Sequence, residues 1–588
     1  MADRTPETPE AELEKPDAQP PPAPASEPAS TPSTSPSTEA TIKQTIESVI
    51  LALILAFVFR GFVIEAFIIP TGSMAPTLLG QHVRVTDPTS GYAFSVEVPE
   101  WAYRETVIDA DGRARTLLRD YITVPNDDHD ALVVMSPMTN APVTVPKGTP
   151  LGTGDRILVN KLAYLFTDPD RWDVIVFKSP QKSPGPDTNF IKRVLGLPGE
   201  SLYLLDGDVF VKAPGDDAYR IARKTDPAEN PAWERVQRAM FQPIYHSRYT
   251  PLDAADTSGR PEGFGFEVPW KAEAGAWEDL DSPLYTFTAE DGGVGRLAFD
   301  FQANRSARTD NRYPYNQKRS TTLPQPITDL RLAADIMPDQ PGAALSLVVT
   351  ARLDRPGLER LEARFDPDGT LSLRVTDDDG NTRTPVDPVQ LDPLPSDGFT
   401  RVELWQVDHS AIVFVNGRER LRWQWPATLS QVYDRPRPTP LPRVLITVTG
   451  GPAQLREVQL DRDVYYNVSS DAKMARGGLR RQGNGGPDNP PARLGPDDFY
   501  VSGDNTTRSE DSRFWRTVDP RVLDRYFNPD SAGSSPQSPR ADPVTFAGRV
   551  PRGLIGGRAF FVYYPTPFYA LPERKLPIPD FGRMRFIR

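Results

Sequence analysis

Asn189-Phe190-Ile191-Lys192-Arg193-Val194-Leu195, followed by Gly196-Leu197-Pro198-Gly199, is a short run of β-forming residues closed by a turn. In an extended chain Phe190, Lys192 and Val194 share one face, which sets an ammonium among apolar side chains. Desolvation there lowers a lysine pKa from ~10.4 towards ~8, at about 1.36 kcal/mol per unit, unless the stem snorkels past Phe190 to water. Outward from this segment the pattern repeats. Ile157–Leu162, Val174–Phe177, Leu202–Leu205 and Val209–Lys212 are strand-length runs separated by Gly, Pro, Asn and Asp. From about residue 225 to 470 the strands lengthen and alternate, as in Leu345–Thr350, Leu371–Val375, Val402–Val407 and Val444–Val448. Leu421, Trp423 and Trp425 share one face, with Arg420, Arg422 and Gln424 on the other, and Asn416-Gly417 is the strongest hairpin signal in the chain. The expected fold is mainly β, with a separate β-sandwich at 225–470 that is entered and left through Pro- and Gly-rich segments and should be removable.

Composition narrows the chemistry. The chain has 588 residues, enough for several domains, and 64 prolines, about twice the usual ~5%, so long helices are not expected over most of it. With 67 basic and 79 acidic residues the net charge is −12, which argues against a nucleic-acid partner. Zero cysteines exclude disulfides, thiolate metal sites and cysteine nucleophiles, and His82, His129, His246 and His409 are the four imidazoles. Residues 1–41 are Pro-, Ala- and Glu-rich, with eight acids against two bases in the first 40, and read as a disordered tail. Residues 42–66 read as one transmembrane anchor helix. Its uncharged core, Ser48–Phe59, is 12 residues long, with Glu47 and Arg60 able to snorkel at the two interfaces. A buried core helix or an interfacial segment has the same composition. No small-residue cleavage site closes the run, so an uncleaved anchor is expected, and the flanking charges are too few to set its orientation.

Directly after the apolar run comes Pro70-Thr71-Gly72-Ser73-Met74-Ala75-Pro76-Thr77. The glycine lets backbone approach a ligand, although an ordinary turn has the same residues. A nucleophilic serine needs a base, no histidine is placed beside a motif, and a Ser–Lys pair is an alternative to histidine-based triads.

The order of apolar anchor, PTGSMAPT, GDRILVNKLAY, RWDVIVFKSP, NFIKRVLGLPGE and GDNTTRSEDSRFW closely resembles bacterial type I signal peptidases, membrane-anchored Ser–Lys proteases that remove signal peptides. The resemblance covers about half the chain and implies a β-rich catalytic domain at 67–215 and 496–588. It implies Ser73 as nucleophile, Lys192 as general base, and the Thr71 hydroxyl with the Ser73 backbone N–H as oxyanion hole. It further implies Gly503 and Ser509 as supports, Ser509 orienting the lysine, and Asp511 with Arg513 as a supporting ion pair. Where the family usually has Arg, Asp and Asn, this chain has Thr506, Thr507 and Arg508. No metal or other cofactor is implied. The implied partners are preprotein signal peptides with small residues at −3 and −1, and membrane lipid, with the catalytic domain on the extracytoplasmic side of the cytoplasmic membrane.

Two insertions depart from the minimal family. Residues 81–150 hold Asp87-Pro88-Thr89-Ser90-Gly91 and Ser136-Pro137-Met138-Thr139-Asn140, which look like the knuckles of a cysteine-free ribbon that has lost its zinc, or like two ordinary turns. Residues 225–470 resemble concanavalin A-like or laminin-G-like sandwiches and could bind glycan or protein, although Trp405, Trp423 and Trp425 fit a core equally. Asp408-His409-Ser410 is a chance triplet, since strand neighbours face opposite ways. Residues 471–495 read as a Gly/Pro-rich linker. The rival reading is a membrane-anchored binding scaffold with a vestigial protease site.

Overall fold

The computed structural model describes residues 38–108, 111–123, 132–251, 266–288, 293–303, 313–316, 327–353, 357–435, 440–468, 484–486, 489–527, 548–569, 577–578 and 580–587. The expected tail lies outside them up to residue 37, as does most of the expected linker. The chain divides into two compact units, Met1–Phe59 and Arg60–Arg588.

The first unit is the helix α1, Thr38–Val58, which begins four residues before the expected anchor and continues as a π turn through Val63. The 22 residues Ile42–Val63 have a mean hydropathy of 2.2 and none is buried, so the helix is long and apolar enough to cross a membrane. At 1.5 Å per residue they reach about 33 Å, against a hydrocarbon core of ~30 Å. The helix stops short of residue 66 because Ile64–Ile68 pairs with Arg156–Asn160 as a strand.

In the second unit a sheet is built from β1 (Ile64–Ile68), β2 (Arg156–Asn160), β3 (Val174–Lys178), β4 (Asn189–Gly196), β5 (Asp498–Ser502), β6 (Val550–Pro551), β7 (Ile555–Tyr564) and β8 (Arg585–Phe586). The order is β1-β2-β7-β3-β4-β5-β6, with β8 pairing β7. Segments far apart in sequence thereby become neighbours: Arg193 on β4 lies opposite Ser502 on β5. A smaller sheet runs in the order Arg220–Ala222, Asp208–Lys212, Ser201–Leu205, Ala492–Arg493, so the end of the expected linker is an edge strand.

The region between holds two eight-stranded antiparallel sheets. They enclose one apolar core that includes Trp270, Tyr285, Leu332, Leu347, Leu373, Val413 and Ile446. Trp405 and Trp425 are fully buried and Trp423 packs partly against the core, so these aromatics are packing residues. Helix Trp233–Met240 serves two cores. Trp233 meets Trp405 and Phe414 of the sandwich, while Val236 and Met240 join Leu202, Trp172 and Tyr466 beside the smaller sheet.

In the 81–150 segment, His82–Thr86 pairs with Ala93–Glu97 and Leu132–Met135 with Pro142–Val145. The two turns meet on one carboxylate. Asp87 accepts from the Thr89 N–H (2.9 Å) and hydroxyl (2.7 Å), the Ser90 hydroxyl (2.9 Å) and, across the gap, the Thr139 hydroxyl (2.6 Å). Burial alone would raise the Asp87 carboxyl, but these donors hold it below its ordinary value. Where two zinc knuckles would share a cation, these turns share an anion. Asp87→Ala should destabilise the protein by about 1.5–3 kcal/mol, the worth of a hydrogen bond to a charged group, read as a lower denaturation midpoint near neutral pH. An unchanged midpoint would make the two turns independent.

Candidate active site

β1 ends at Ile68, and the next residue is tied down by an Ile69 N–H bond to Asp155 O (2.9 Å). The chain then turns through a single 3-10 turn, Gly72–Met74, with Met74 and Leu78 buried against Ile157, Val159 and Val174 of the sheet. The turn is anchored by its apolar residues and leaves Ser73 half-buried. Gly72 has to be glycine, since a Cβ there would sit 2.4 Å from the Tyr315 ring.

Lys192 comes from β4, opposite Ile175 of β3. Its Nζ donates to Ser73 Oγ at 2.8 Å and to Ile191 O at 2.9 Å, and lies 5.5 Å from the Phe190 ring centre. The side chain does not snorkel: the residue is 5% exposed. Burial brings the amine down to about 8, against the pull of the Asp511 carboxylate and with the help of the Arg513 cation.

Asp511 and Arg513 are fully buried and bonded twice, at 2.7 Å each. Burial alone would raise the Asp511 carboxyl, but Arg513 and the Gly503 N–H (2.9 Å) hold it below the usual range. Gly503 is packed so closely that a Cβ would lie 2.3 Å from Ser73 O and 2.4 Å from Ser509 Oγ. Ser509 is fully buried beside Asp511, yet the expected bond to Lys192 is not made; the amine spends its second donor on its own strand, at Ile191 O. Thr71 is exposed at the mouth of the turn, and its side chain forms no cap bond to it. Ser73, Lys192, Gly503, Ser509, Asp511 and Arg513 thus converge from three distant segments, with Thr71 at the rim.

A family model described as signal peptidase, peptidase S26, matches residues 132–252, the stretch that carries Lys192. Signal peptidase I of Leptolyngbya laminosa is 42% identical over 65 residues, 10% of this chain and 32% of the relative. That of Pseudomonas aeruginosa is 43% identical over 76 residues, 10% of this chain and 26% of the relative. That of Aquifex aeolicus is 49% identical over 49 residues, 8% of this chain and 18% of the relative. Over these stretches the chain is similar to type I signal peptidases. It spans about a third or less of the length of these curated relatives. Among solved structures, the carbohydrate-binding module CBM66 from Bacillus subtilis aligns with 33% of this chain and 96% of its own at 11% identity and a TM-score of 0.21. The catalytic domain of an endo-1,3-beta-glucanase (laminarinase) from Thermotoga petrophila RKU-1 aligns with 38% of this chain and 98% of its own at 11% identity and a TM-score of 0.21.

Around the pair, the chain has a second layer that sequence reasoning missed. Arg193 points to the opposite side of β4 from Lys192 and grips Asp504 with two bonds of 2.8 Å. Asp504 also accepts from Thr77 and from the Tyr466 hydroxyl (3.2 Å), and Arg193 donates to Trp172 O (2.7 Å). The strand period placed Arg193 off the Lys192 face, but nothing in the sequence named a partner 311 residues away. Both residues are buried, so Arg193→Ala leaves Asp504 unpaired and should cost about 3–5 kcal/mol in denaturant unfolding. A loss under about 1 kcal/mol would show that water reaches and solvates Asp504.

Proposed function

We propose that this chain is a membrane-anchored serine endopeptidase that removes N-terminal signal peptides from exported preproteins, with its catalytic domain on the extracytoplasmic side of the cytoplasmic membrane. The observation that carries the reading is the 2.8 Å contact between Ser73 Oγ and a buried Lys192 amine whose pKa is brought to about 8. Such an amine is neutral in a useful fraction of molecules near neutral pH, whereas an exposed lysine is not. In this reading neutral Lys192 takes the Ser73 proton as the alkoxide attacks the carbonyl carbon of the small residue at −1. The Ser73 backbone N–H and the Thr71 hydroxyl receive the oxyanion. The ammonium of Lys192 protonates the leaving amine as the C–N bond breaks. Lys192, neutral again, then takes a proton from the water that hydrolyses the ester, and the returning proton restores Ser73. Asp511 and Arg513 compensate each other within the buried site, and Gly503 and Ser509 shape the space behind the serine. The segments 81–150 and 225–470 are insertions into this catalytic fold.

The test is cleavage of a preprotein with small residues at −3 and −1 by detergent-solubilised protein. Ser73→Ala and Lys192→Ala should each lower kcat roughly 10^4-fold, and the double variant should lose no more than either single one, since the two act as a unit. Appreciable activity in Lys192→Ala would remove the lysine from the mechanism.

The pH profile has a definite sign. Only the deprotonated amine accepts the serine proton, so kcat/KM should climb about tenfold per pH unit below 7 and level off above the lysine pKa of about 8. A rate maximum below pH 6 would contradict a lysine base.

A further inference from the structure

The short piece Tyr313–Asn316 belongs to the inserted 225–470 region, yet it lies against the Ser73 turn. Asn316 and Asn505 form a reciprocal amide pair: Asn316 Nδ2 donates to Asn505 Oδ1 (2.9 Å) and Asn505 Nδ2 to Asn316 Oδ1 (2.7 Å). The same Asn505 Nδ2 donates to Gly72 O (2.9 Å), and the Asn505 backbone N–H donates to Ser73 O (3.1 Å). Both carbonyls flanking the Ser73 Cα are therefore held by one asparagine, whose amide is oriented by Asn316. Tyr315 packs with Ala75 and Leu79 and fills the space that the missing Gly72 side chain leaves, and the Tyr313 hydroxyl donates to Asp504 O (2.9 Å).

The loop that carries Asn505 is tied to both insertions. Thr506 donates to Tyr465 O (2.8 Å), Thr507 accepts from Asn316 (3.0 Å), and Arg508 pairs with Glu97 (2.7 Å).

We propose that Asn316 is a positioning residue for the Ser73 nucleophile, acting through Asn505, so that the inserted sandwich is a working part of the active site. This deepens the proteolytic reading and rests on it. The expectation of a removable insert gives way for a physical reason: hydrogen bonds that orient the serine backbone originate inside the insert.

The decisive variant is Asn316→Asp, which keeps shape but sets a carboxylate oxygen against Asn505 Oδ1. Flipping the Asn505 amide gives no relief, because both aspartate oxygens are acceptors, so the pair separates and draws Asn505 Nδ2 away from Gly72 O. Asn316→Ala only removes the partner. In the full-length protein, kcat for a short signal-peptide substrate should fall roughly 10- to 100-fold in Asn316→Asp and less in Asn316→Ala, as expected for a misplaced nucleophile. KM should stay within about twofold and the pH midpoint should stay where it is, because Asn316 bonds to neither Lys192 nor Thr71. A merely structural role would lower only the active fraction in both variants, with kcat per active molecule unchanged.

Hydrogen exchange of the peptide spanning residues 70–80 gives a readout independent of turnover, and should quicken in both variants, more in Asn316→Asp. Full kcat in Asn316→Asp overturns the proposal, and so does unchanged exchange. If the wild-type chain cleaves no preprotein, the proteolytic reading fails by itself, and exchange at 70–80 still decides whether Asn316 holds the turn.

Discussion

Lys192 sheds its water where β4 passes beneath the Ser73 turn, and a neutral amine in that place is possible only because the other charges nearby are matched. Asp511 and Arg513 neutralise each other behind it, and on the other face of the same strand Arg193 is matched by Asp504. Had either acid lacked its arginine, its unscreened field would have favoured the ammonium and pulled the lysine back towards its ordinary pKa. Two buried ion pairs are poor sources of net stability, because desolvation offsets most of their attraction. Their effect here is to keep a low-dielectric pocket electrically quiet around one amine.

The seam between the smaller sheet and the sandwich follows the same logic with the opposite outcome. Lys224 is buried beside Asp408 and Asp463, whose charges more than offset the effect of burial and hold the lysine in its charged form. Asp329 lies in the same cluster, and burial beside other acids pushes its carboxyl well up. Together with helix Trp233–Met240, which is apolar towards both sides, this network welds the insert to the core. Two lysines of one chain are therefore shifted in opposite directions by environment alone: Lys192 has its paired acids turned to arginines, and Lys224 has acids turned to itself.

The mainly β character, the apolar helix, the alternating sandwich strands and the Ser73 and Lys192 motifs were legible in the primary structure, because each is a short-range pattern of residue period, turn chemistry or hydropathy. The alternation of Phe190, Lys192 and Val194 alone placed the amine on an apolar face, and desolvation of that face accounts for its lowered pKa. The Asp87 turns were legible as a pair of similar loops, but not as loops sharing one carboxylate.

What local pattern could not carry is every contact made between distant segments. Arg193 with Asp504, Asp87 with Thr139, and Asn316 with Asn505 are separated by 311, 52 and 189 residues. Each is a polar pair whose members, read alone, are ordinary surface residues. The sequence determined which side chains could do chemistry, since residue type and strand period are local properties. Only the tertiary structure decided that Ser509 leaves the lysine to Ile191 O, and that an insert contributes to holding the serine. Hydrogen bonds depend on ångström-scale approach between elements, and that distance is set by how the sheets pack.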